Sequence, residues 1–400
     1  MKFENLLFSN KNYRNFWLTN ITTFFVVWMQ STLAAIAITE LSSSTFLSSL
    51  SHWASTMPIF LFGIIAGIIG DRYNKFIIMS IASLLMSVAM LFLSIASSLQ
   101  IINSVTIIIC TFLFAIGSAL RMPSAQSVTS ELVDKNQIRN AAILNNISFN
   151  LMRALGPSLA GVIIVFCSLS QSFLIVAVIS FLSAIAFYLQ RDNIVLSHNY
   201  KLSISFKKII QIGFKSQVFR VVLFDTVMIF GCGSIMWALL PYLAKYSLHM
   251  DSIGQGGLIS LIGVGAIISG LLFSKIIHKI TATTIMNSIY SIMIISLIMI
   301  NITANKIIIY ISLVMFGFAW ASAVSYMNGL VQFSFAKKIL SRIISIYIMF
   351  MYATQAISSV IFGYLSTKFS LQKAFIFPAS ILSISLVIRK IFIEKTLIRK

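Results

Sequence analysis

Long apolar runs dominate this chain, and short clusters of basic residues separate them. Of its 400 residues, 58% are hydrophobic and only 10% are charged, and the mean hydropathy is +0.97. Because a soluble domain carries about 25% charged residues, this composition excludes a soluble globular enzyme. A helix needs about 20 apolar residues to cross a bilayer, so the length allows roughly twelve spans with short loops. The sequence therefore predicts an all-α membrane protein.

Twelve of these runs are long enough to cross a membrane as helices. We predict spans at 16–39, 46–70, 76–98, 101–120, 142–167, 173–190, 218–244, 253–273, 283–303, 307–333, 343–365 and 374–393. The connection between the sixth and seventh runs is the longest, and it is polar and basic. We therefore divide the chain into an N-terminal six-helix half (1–190), a cytoplasmic linker (191–217) and a C-terminal six-helix half (218–400).

The distribution of charged residues along the chain indicates the membrane topology. With 29 Lys and Arg against 9 Asp and Glu, the formal charge is +20, which in a soluble protein would indicate a nucleic-acid partner. Here the cations lie between apolar runs, so we expect the lipid bilayer and no nucleic acid. If loops alternate between the two sides, 24 cations fall on one side, Arg153 lies inside a run, and four fall on the other side: Lys245, Lys306, Lys368 and Lys373. Basic loops face the cytoplasm, so both termini are predicted to be cytoplasmic.

An internal repeat is the second organising signal. Four pairs of residues recur at spacings of 202 to 206: Gly67 with Gly270, Gln126 with Gln332, Arg139 with Arg342, and Gly161 with Gly363. Near-constant spacing predicts duplication of a six-helix unit. Two parallel six-helix repeats with a substrate site between them describe a large class of transporters.

A loop motif follows the second run, Gly67-Ile-Ile-Gly-Asp71-Arg72-Tyr-Asn-Lys75. It resembles the cytoplasmic signature between helices two and three of the major facilitator superfamily, although Asn74 stands where the family has glycine. The resemblance implies a conformational switch made by Gly67, Asp71, Arg72 and Lys75. In that switch Asp71 pairs across the interface of the two halves in one conformation, and Arg121 is a candidate partner. An ordinary loop salt bridge is the alternative.

The fifth run contains Asn150-Leu-Met-Arg153-Ala-Leu-Gly156-Pro157 and, further on, Gly161. A charge near mid-membrane costs about 3 kcal/mol or more, so Arg153 must face a cavity or a partner. Asn150 shares its face at i, i+3, and Gly156, Pro157 and Gly161 permit close packing and a bend. The run resembles the fifth helix of exporters in the siderophore (enterobactin-type) and transmembrane secretion effector branch. The alternative is an arginine that bonds carbonyls and only holds helices together.

Further matches to that branch cover most of the chain. They are Arg121-Met-Pro123 with Gln126, Glu131-Leu-Val, Trp237-Ala-Leu-Leu-Pro241 and Trp28-Met-Gln30. The resemblance implies a major facilitator fold in a bacterial inner membrane. It also implies alternating-access export of a small amphiphilic substrate, a siderophore or drug-like compound, driven by protons and carried out by a monomer. Many relatives carry an acid where this chain has Val27, so we expect no proton site at that position.

A few polar residues inside the runs are candidates for the substrate and proton pathway. Asp225 lies within an apolar run, where it must be neutral or paired, and a local pair with Arg220 is the alternative to coupling. Glu40 lies at the outer end of the first run, and His52 lies near the outer end of the second. Aromatic and amide candidates for a cavity are Trp28, Gln30, Trp53, Trp237, Trp320, Tyr326, Asn328, Tyr352 and Gln355. Trp and Tyr are also common at the membrane–water interfaces of membrane proteins, which is the alternative for these aromatic residues.

No motif indicates an enzyme. The sequence has no phosphate-binding loop, no HExxH and no GxSxG, and its three cysteines form no CxxC. We therefore expect no cofactor and no metal site. Two alternatives stay open: a lysophospholipid flippase or nutrient importer of the same fold, and a non-transporting membrane receptor or assembly partner.

Overall fold

The chain folds into helices joined by short turns. The computed structural model describes residue 7 and residues 10–134, 136–193, 206–276, 280–303 and 305–393, and within these ranges every regular element is helical. The first six helices are α1 Lys11–Leu41, α2 Thr45–Arg72, α3 Lys75–Ser98, α4 Ser104–Glu131, α5 Ile138–Phe166 and α6 Leu169–Leu189. The others are α7 Phe206–Lys215, α8 Gln217–Tyr242, α9 Ser252–Ile276, α10 Ala282–Ile302, α11 Lys306–Ser334, α12 Lys337–Lys368, α13 Leu371–Ala374 and α14 Ile376–Ile388.

Eleven helices in the described ranges are long and apolar enough to cross a membrane. The predicted twelfth span, 374–393, is helical without a gap from Ile376 to Ile393, but its geometry changes from α-helical to π-helical at Arg389. It consists of α14, with 13 residues, and a five-residue π-helical turn, Arg389–Ile393. The multi-pass, all-helical prediction is confirmed, but the last apolar run does not form one uninterrupted α-helix.

Polar caps set several helix starts beyond the apolar runs. A side-chain oxygen accepts a hydrogen bond from a backbone N–H in the first turn at Asn10, Asn74, Asn103, Ser168, Ser216, Thr281 and Asn305. Such caps satisfy donors that have no partner inside the helix. This is why α1 begins at Lys11 and not at residue 16 as predicted from hydropathy.

The chain divides into two compact units. Unit 1 contains α1, α2 from Ala54 onward, and α3 to α6, while unit 2 contains residues 43–53 and α7 to α14. In unit 1, α1 packs on α4, α5 and α6, and α3 packs on α4 and α6. In unit 2, α8 packs on α11, α12 and α14, and α10 packs on α11 and α14. The same five helix pairings therefore occur in both units.

Small residues allow close helix approach in unit 2. A Cβ atom on Gly317 would meet the carbonyl of Ile262, and one on Gly265 would meet the carbonyl of Val314. Helix pairs in membranes commonly use glycine to bring their backbones together. The crossing of α9 and α11 therefore requires both glycines.

The linker predicted at 191–217 contains a helix that hydropathy alone missed. After a 3₁₀ turn at Arg191–Asn193, helix α7 packs on α8 and α12. Ile209 is fully buried, whereas Lys208 and Lys215 are exposed. Apolar and basic residues alternate along this segment with the period of a helix. The prediction used only the average polarity of the segment and therefore missed the helix.

Candidate functional site

Arg153 of α5 is buried in unit 1, with 7% of its surface exposed. Its Cζ atom lies 5.2 Å from the centroid of the Trp28 ring and 6.0 Å from that of Phe149. Its Nη1 lies 3.5 Å from Oδ1 of Asn150, a long hydrogen bond. A cation over an aromatic face is stabilised by the ring quadrupole. Arg153, Asn150 and Trp28 thus lie together, in a position where a charge is costly.

The glycine of the fifth helix explains how Arg153 reaches Trp28. A Cβ atom on Gly156 would lie 2.8 Å from Cβ of Trp28 and 3.3 Å from the backbone nitrogen of Met29, distances that leave no room for a side chain. Pro157 and Gly161 are also buried on the same helix. The Gly-Pro segment therefore lets α5 approach α1 closely and sets the stacking distance of Arg153.

Arg121 does not lie where the sequence placed it. We predicted a loop cation at the cytoplasmic end of the fourth run and a partner for Asp71. Instead α4 continues through Pro123 to Glu131, so Arg121 lies inside a helix and is 4% exposed. Its Nη1 donates to Oδ1 of Asn20 at 2.6 Å. Asp71 is exposed at the end of α2. Its pairing with Arg121 in another conformation stays a prediction.

One face of α1 connects the two buried arginines. Asn20, Phe24 and Trp28 recur every four residues and therefore share a face. The Cζ atom of Arg121 lies 5.4 Å from the centroid of the Phe24 ring. The ring of Phe149 packs edge-on against Phe24 at 5.3 Å and against Trp28 at 5.7 Å. We call this set the arginine-pair site: Asn20, Phe24, Trp28, Arg121, Phe149 and Arg153.

Sequence reasoning found only Trp28, Arg121 and Arg153 of the arginine-pair site. Asn20, Phe24 and Phe149 were missed, although the four-residue spacing on α1 was a signal that could have found the first two. Phe149 adjoins Asn150 and gave no pattern of its own. Its position between two rings depends on how α5 packs against α1, and a single sequence does not contain that information.

Asp225 is the centre of a polar cluster in unit 2. It is 2% exposed on α8, and its Oδ1 lies 3.3 Å from Nε of Arg389, which is also 2% exposed. The Tyr290 hydroxyl donates to the same Oδ1 at 3.0 Å. Arg389 Nη1 donates to Oδ1 of Asn287 at 3.0 Å. Helices α8, α10 and the π turn after α14 are thereby joined through buried polar groups.

This cluster corrects two predictions. The local pair of Asp225 with Arg220 is wrong, because side chains five residues apart point about 140° away from each other on a helix, and Arg220 is exposed. Arg389 was counted as a loop cation, but it is buried. It lies near the end of the predicted span 374–393, where a basic residue is expected at the membrane surface.

The Gly-Asp-Arg motif brings different charges together than predicted. Arg72 is exposed, and Lys75 Nζ lies 2.9 Å from Oε1 of Glu131. Asn74, which replaces the family glycine, accepts hydrogen bonds from two backbone N–H groups of α3 and donates to the carbonyl of Arg191 at 2.8 Å. No atom of a neighbour lies within 4 Å of a Cβ built on Gly67. The ion pair of this region therefore joins the start of α3 to the end of α4.

Among the other candidates, Tyr326 is close enough to Asp225 and Arg389 to interact with both electrostatically. Gln30 is buried and donates to Oγ1 of Thr111 at 3.1 Å, and Gln355 donates to the carbonyl of Met351 in its own helix. Trp237 packs edge-on against Trp320 at 5.8 Å. Glu40 is exposed at the end of α1, whereas His52 and Asn328 are half-buried.

The fold matches solved transporters of the major facilitator class. A bacterial homologue of the human lysosomal transporter Spinster superposes with a TM-score of 0.75 at 14% identity, and 94% of each chain is covered. The nucleoside transporter NupG, as its D323A mutant, gives a TM-score of 0.75 at 10% identity over 94% of this chain and 98% of NupG. At these identities the matches show the fold alone. The fold and the eleven helices long and apolar enough to cross a membrane thus define a multi-pass membrane protein.

The chain belongs to the transmembrane secretion effector family of the major facilitator superfamily, which it matches over residues 6–396. The predicted family resemblance is confirmed, and this family is one of transporters. The staphyloferrin A transporter of Staphylococcus aureus is 25% identical over 232 residues, 57% of this chain and 58% of the relative. An uncharacterised MFS-type transporter of Bacillus subtilis is 28% identical over 162 residues, 40% of this chain and 37% of the relative. The chain thus spans less than two thirds of either relative's length in these alignments.

Proposed function

We propose that this chain is a secondary active exporter that moves a small amphiphilic molecule of siderophore type out of the cytoplasm by alternating access. The observation that carries the proposal is the buried Arg153 stacked on Trp28 in a member of the secretion effector family. The similarity to a staphyloferrin A transporter supports the substrate class. Aromatic rings beside a guanidinium suit a ligand that has both an apolar body and polar groups.

The alternative role for Arg153, which is to hold helices together, explains its burial less well than substrate recognition does. The same helix crossing is already secured by Gly156, which lets α5 contact α1 through Trp28 and Met29. An arginine buried among apolar helices costs free energy, and a purely packing role would be met by an uncharged side chain. We therefore assign Arg153 to substrate recognition, with Asn150 and Trp28 beside it.

Proton entry is the proposed driving force, and Asp225 is the proposed coupling group. Among the residues whose burial is described, Asp225 is the only buried acid. Its partners Arg389 and Tyr290 lie on two other elements, so a change of its charge would alter how three elements are held together. One proton that moves inward gains about 2.3 kcal/mol per 100 mV of membrane potential. That free energy is sufficient for severalfold accumulation of substrate outside.

The same proposal includes the setting of the protein. The basic loops favour an orientation with both termini in the cytoplasm, and the bacterial relatives favour a bacterial plasma membrane. One chain carries both units, so a monomer suffices for transport.

Mass spectrometry of the culture medium under iron limitation tests the function. A strain without the chain should retain a siderophore in its cells and lose it from the medium, and expression of the wild-type chain should restore secretion. Arg153→Gln should not restore it at equal expression, whereas the control Arg220→Gln, at an exposed position, should. Unchanged secretion in the strain without the chain would contradict the siderophore proposal.

Inside-out membrane vesicles test direction and coupling. Uptake of the identified molecule should require a proton gradient, should collapse with a protonophore and should be lost in Asp225→Asn. Uptake by right-side-out cells would instead indicate a nutrient importer, and movement of lysophospholipid between leaflets would indicate a flippase.

A further inference from the structure

The segment that contains helix α7 carries charge of one sign only. From residue 193 to residue 224 the sequence contains four lysines and one arginine but no acid. Helix α7 belongs to unit 2 and packs on α8 and α12. A cluster of cations next to a membrane-spanning helix attracts anionic lipid headgroups. Whether α7 can bind such headgroups depends on which of its faces is exposed.

The inner face of α7 is attached to unit 2. Ile209 is fully buried. A Cβ atom on Gly213 would lie 3.1 Å from Cε1 of Phe219 and 3.2 Å from Cδ1 of Ile343, so the backbone of α7 lies close to α8 and α12. Ile209 and Gly213 are four residues apart and share this face. The orientation of α7 about its own axis is thereby fixed.

The outer face of α7 is basic. Lys208, Gln211 and Lys215 are exposed and recur at i, i+3 and i+7, which is the spacing of one helix face. Within the described ranges neither lysine forms an ion pair. Seven residues rise about 10 Å along a helix, so each lysine can contact a headgroup of its own.

An exposed aromatic ring lies beside this basic face. The ring of Phe214 packs edge-on against Phe219, in the first turn of α8, at 6.3 Å and against Phe350 of α12 at 6.2 Å. Both α8 and α12 are long and apolar enough to cross a membrane, and the apolar stretch of α12 begins at Arg342. Phe350 is about two turns inside that stretch. Phe214 therefore lies at a depth where acyl chains are expected, next to Lys215.

We propose that the basic face of α7, formed by Lys208, Gln211 and Lys215, is a binding surface for anionic phospholipids, whose acyl chains contact Phe214. Charge alone would also attract a soluble phosphate. The exposed ring beside the lysines favours a ligand with an apolar part, as in amphipathic helices that lie at a membrane surface. The bound lipid stabilises the packing of α7 on α8 and α12. This inference goes beyond the proposed function and does not depend on the exported substrate.

Lipid titration of the purified full-length chain in detergent tests the proposal. Dioctanoyl phosphatidylglycerol is the anionic probe, dioctanoyl phosphatidylcholine has the same chains without net charge, and glycerol phosphate has the charge without the chains. Shifts of the thermal unfolding midpoint give apparent affinities, because a ligand that binds the folded chain stabilises it.

We expect phosphatidylglycerol to bind about 25-fold more tightly than phosphatidylcholine, about fivefold for each lysine. Added salt should reduce this preference, because exposed charges are screened. Equal affinities for the two lipids would overturn the proposal. An equal effect of glycerol phosphate and phosphatidylglycerol would also overturn it, since the surface would then take a soluble anion.

Variants locate the contact. Lys208→Gln combined with Lys215→Gln should bind the two lipids equally, whereas Lys208→Arg combined with Lys215→Arg keeps both charges and should keep the preference. Lys306→Gln combined with Lys373→Gln is the matched control. Both of these lysines are exposed and belong to the loops predicted on the other side of the membrane, so the preference should persist. A preference that survives in the double Gln variant of α7 would place the lipid elsewhere and contradict the assignment.

Phe214→Ser tests the apolar half of the surface. It removes the contact with the acyl chains and leaves both lysines in place. We expect both lipids to bind more weakly by the same factor, with the preference for phosphatidylglycerol unchanged. Unchanged affinity for both lipids would contradict the contact between Phe214 and the acyl chains.

Discussion

The carboxylate of Asp225 and the guanidinium of Arg389 face each other inside unit 2, with Nε 3.3 Å from Oδ1 and 3.4 Å from Oδ2. The two residues are 164 positions apart and join the start of the unit to its last helix. Tyr290 on α10 completes the cluster. A pair so distant in sequence can form only when α8, α10 and α14 are packed, so it reports on the integrity of the whole unit.

Breaking this pair should destabilise the protein strongly. Asp225→Asn and Arg389→Gln each leave one buried charge without its counterion, and such losses cost about 3–5 kcal/mol. The double variant should lose less than the sum of the two, because it removes both charges. Thermal unfolding of the purified variants in detergent measures this coupling. Additive losses would show that the two side chains do not interact in the folded protein.

Tyr290→Phe should have a smaller effect on the free energy of unfolding. It removes one hydroxyl that donates to Asp225 at 3.0 Å and leaves the ion pair in place. A hydrogen bond to a charged group contributes about 1.5–3 kcal/mol. Tyr310→Phe is the matched control, since Tyr310 is exposed on α11, and it should leave the midpoint unchanged. A loss as large as that of Asp225→Asn would mean that Tyr290 has a second role.

Much of the fold was predictable because hydropathy and charge are local properties. The apolar runs gave eleven of the helices, and the motifs gave the family. The i, i+3 spacing also placed Asn150 beside Arg153, as observed. What failed was the assignment of Arg121 and Arg389. Both lie at or near the ends of apolar runs and look like cations at the membrane surface, yet both are buried.

The reason for that failure is physical. Whether a basic residue near the end of a run is exposed depends on where the helix ends and on what packs beside it. α4 continues beyond Arg121 because Pro123 is accommodated inside it, and Arg389 is buried because α8 supplies Asp225. Neither fact is encoded within a window of neighbouring residues. The amphipathic helix α7 was missed for a different reason, since its period was present in the sequence but its average polarity suggested a loop.

Gly156→Ala should disturb the arginine-pair site through packing. The added Cβ would lie 2.8 Å from Cβ of Trp28 and would push α5 away from α1. Overpacking of this kind costs about 1–3 kcal/mol, and displacement of Trp28 from Arg153 should reduce transport further. Gly329→Ala is the control, because nothing lies within 4 Å of the added atom and alanine favours a helix by about 1 kcal/mol. Equal stability of the two variants would show that the crossing of α1 and α5 tolerates a methyl group.

Variants of the ion pair between Lys75 and Glu131 can show whether this pair takes part in a conformational change or only stabilises the fold. Its side chains are 17% and 36% exposed, so it should contribute about 1 kcal/mol or less to stability. If the pair belongs to the switch that the motif predicts, Lys75→Glu should nevertheless reduce transport severalfold at an unchanged unfolding midpoint. Repulsion between two acids holds the ends of α3 and α4 apart, and the charge swap Lys75→Glu with Glu131→Lys should restore activity.

Asp192→Asn is the control for that experiment. Asp192 lies 3.8 Å from Arg191 at a strongly exposed position, so its loss should change neither stability nor transport. Transport assays in vesicles at two salt concentrations complete the comparison, because salt weakens an exposed pair. Full activity of Lys75→Glu would exclude the pair from the transport cycle, whereas loss of activity that the swap does not repair would show that Lys75 acts through a partner other than Glu131.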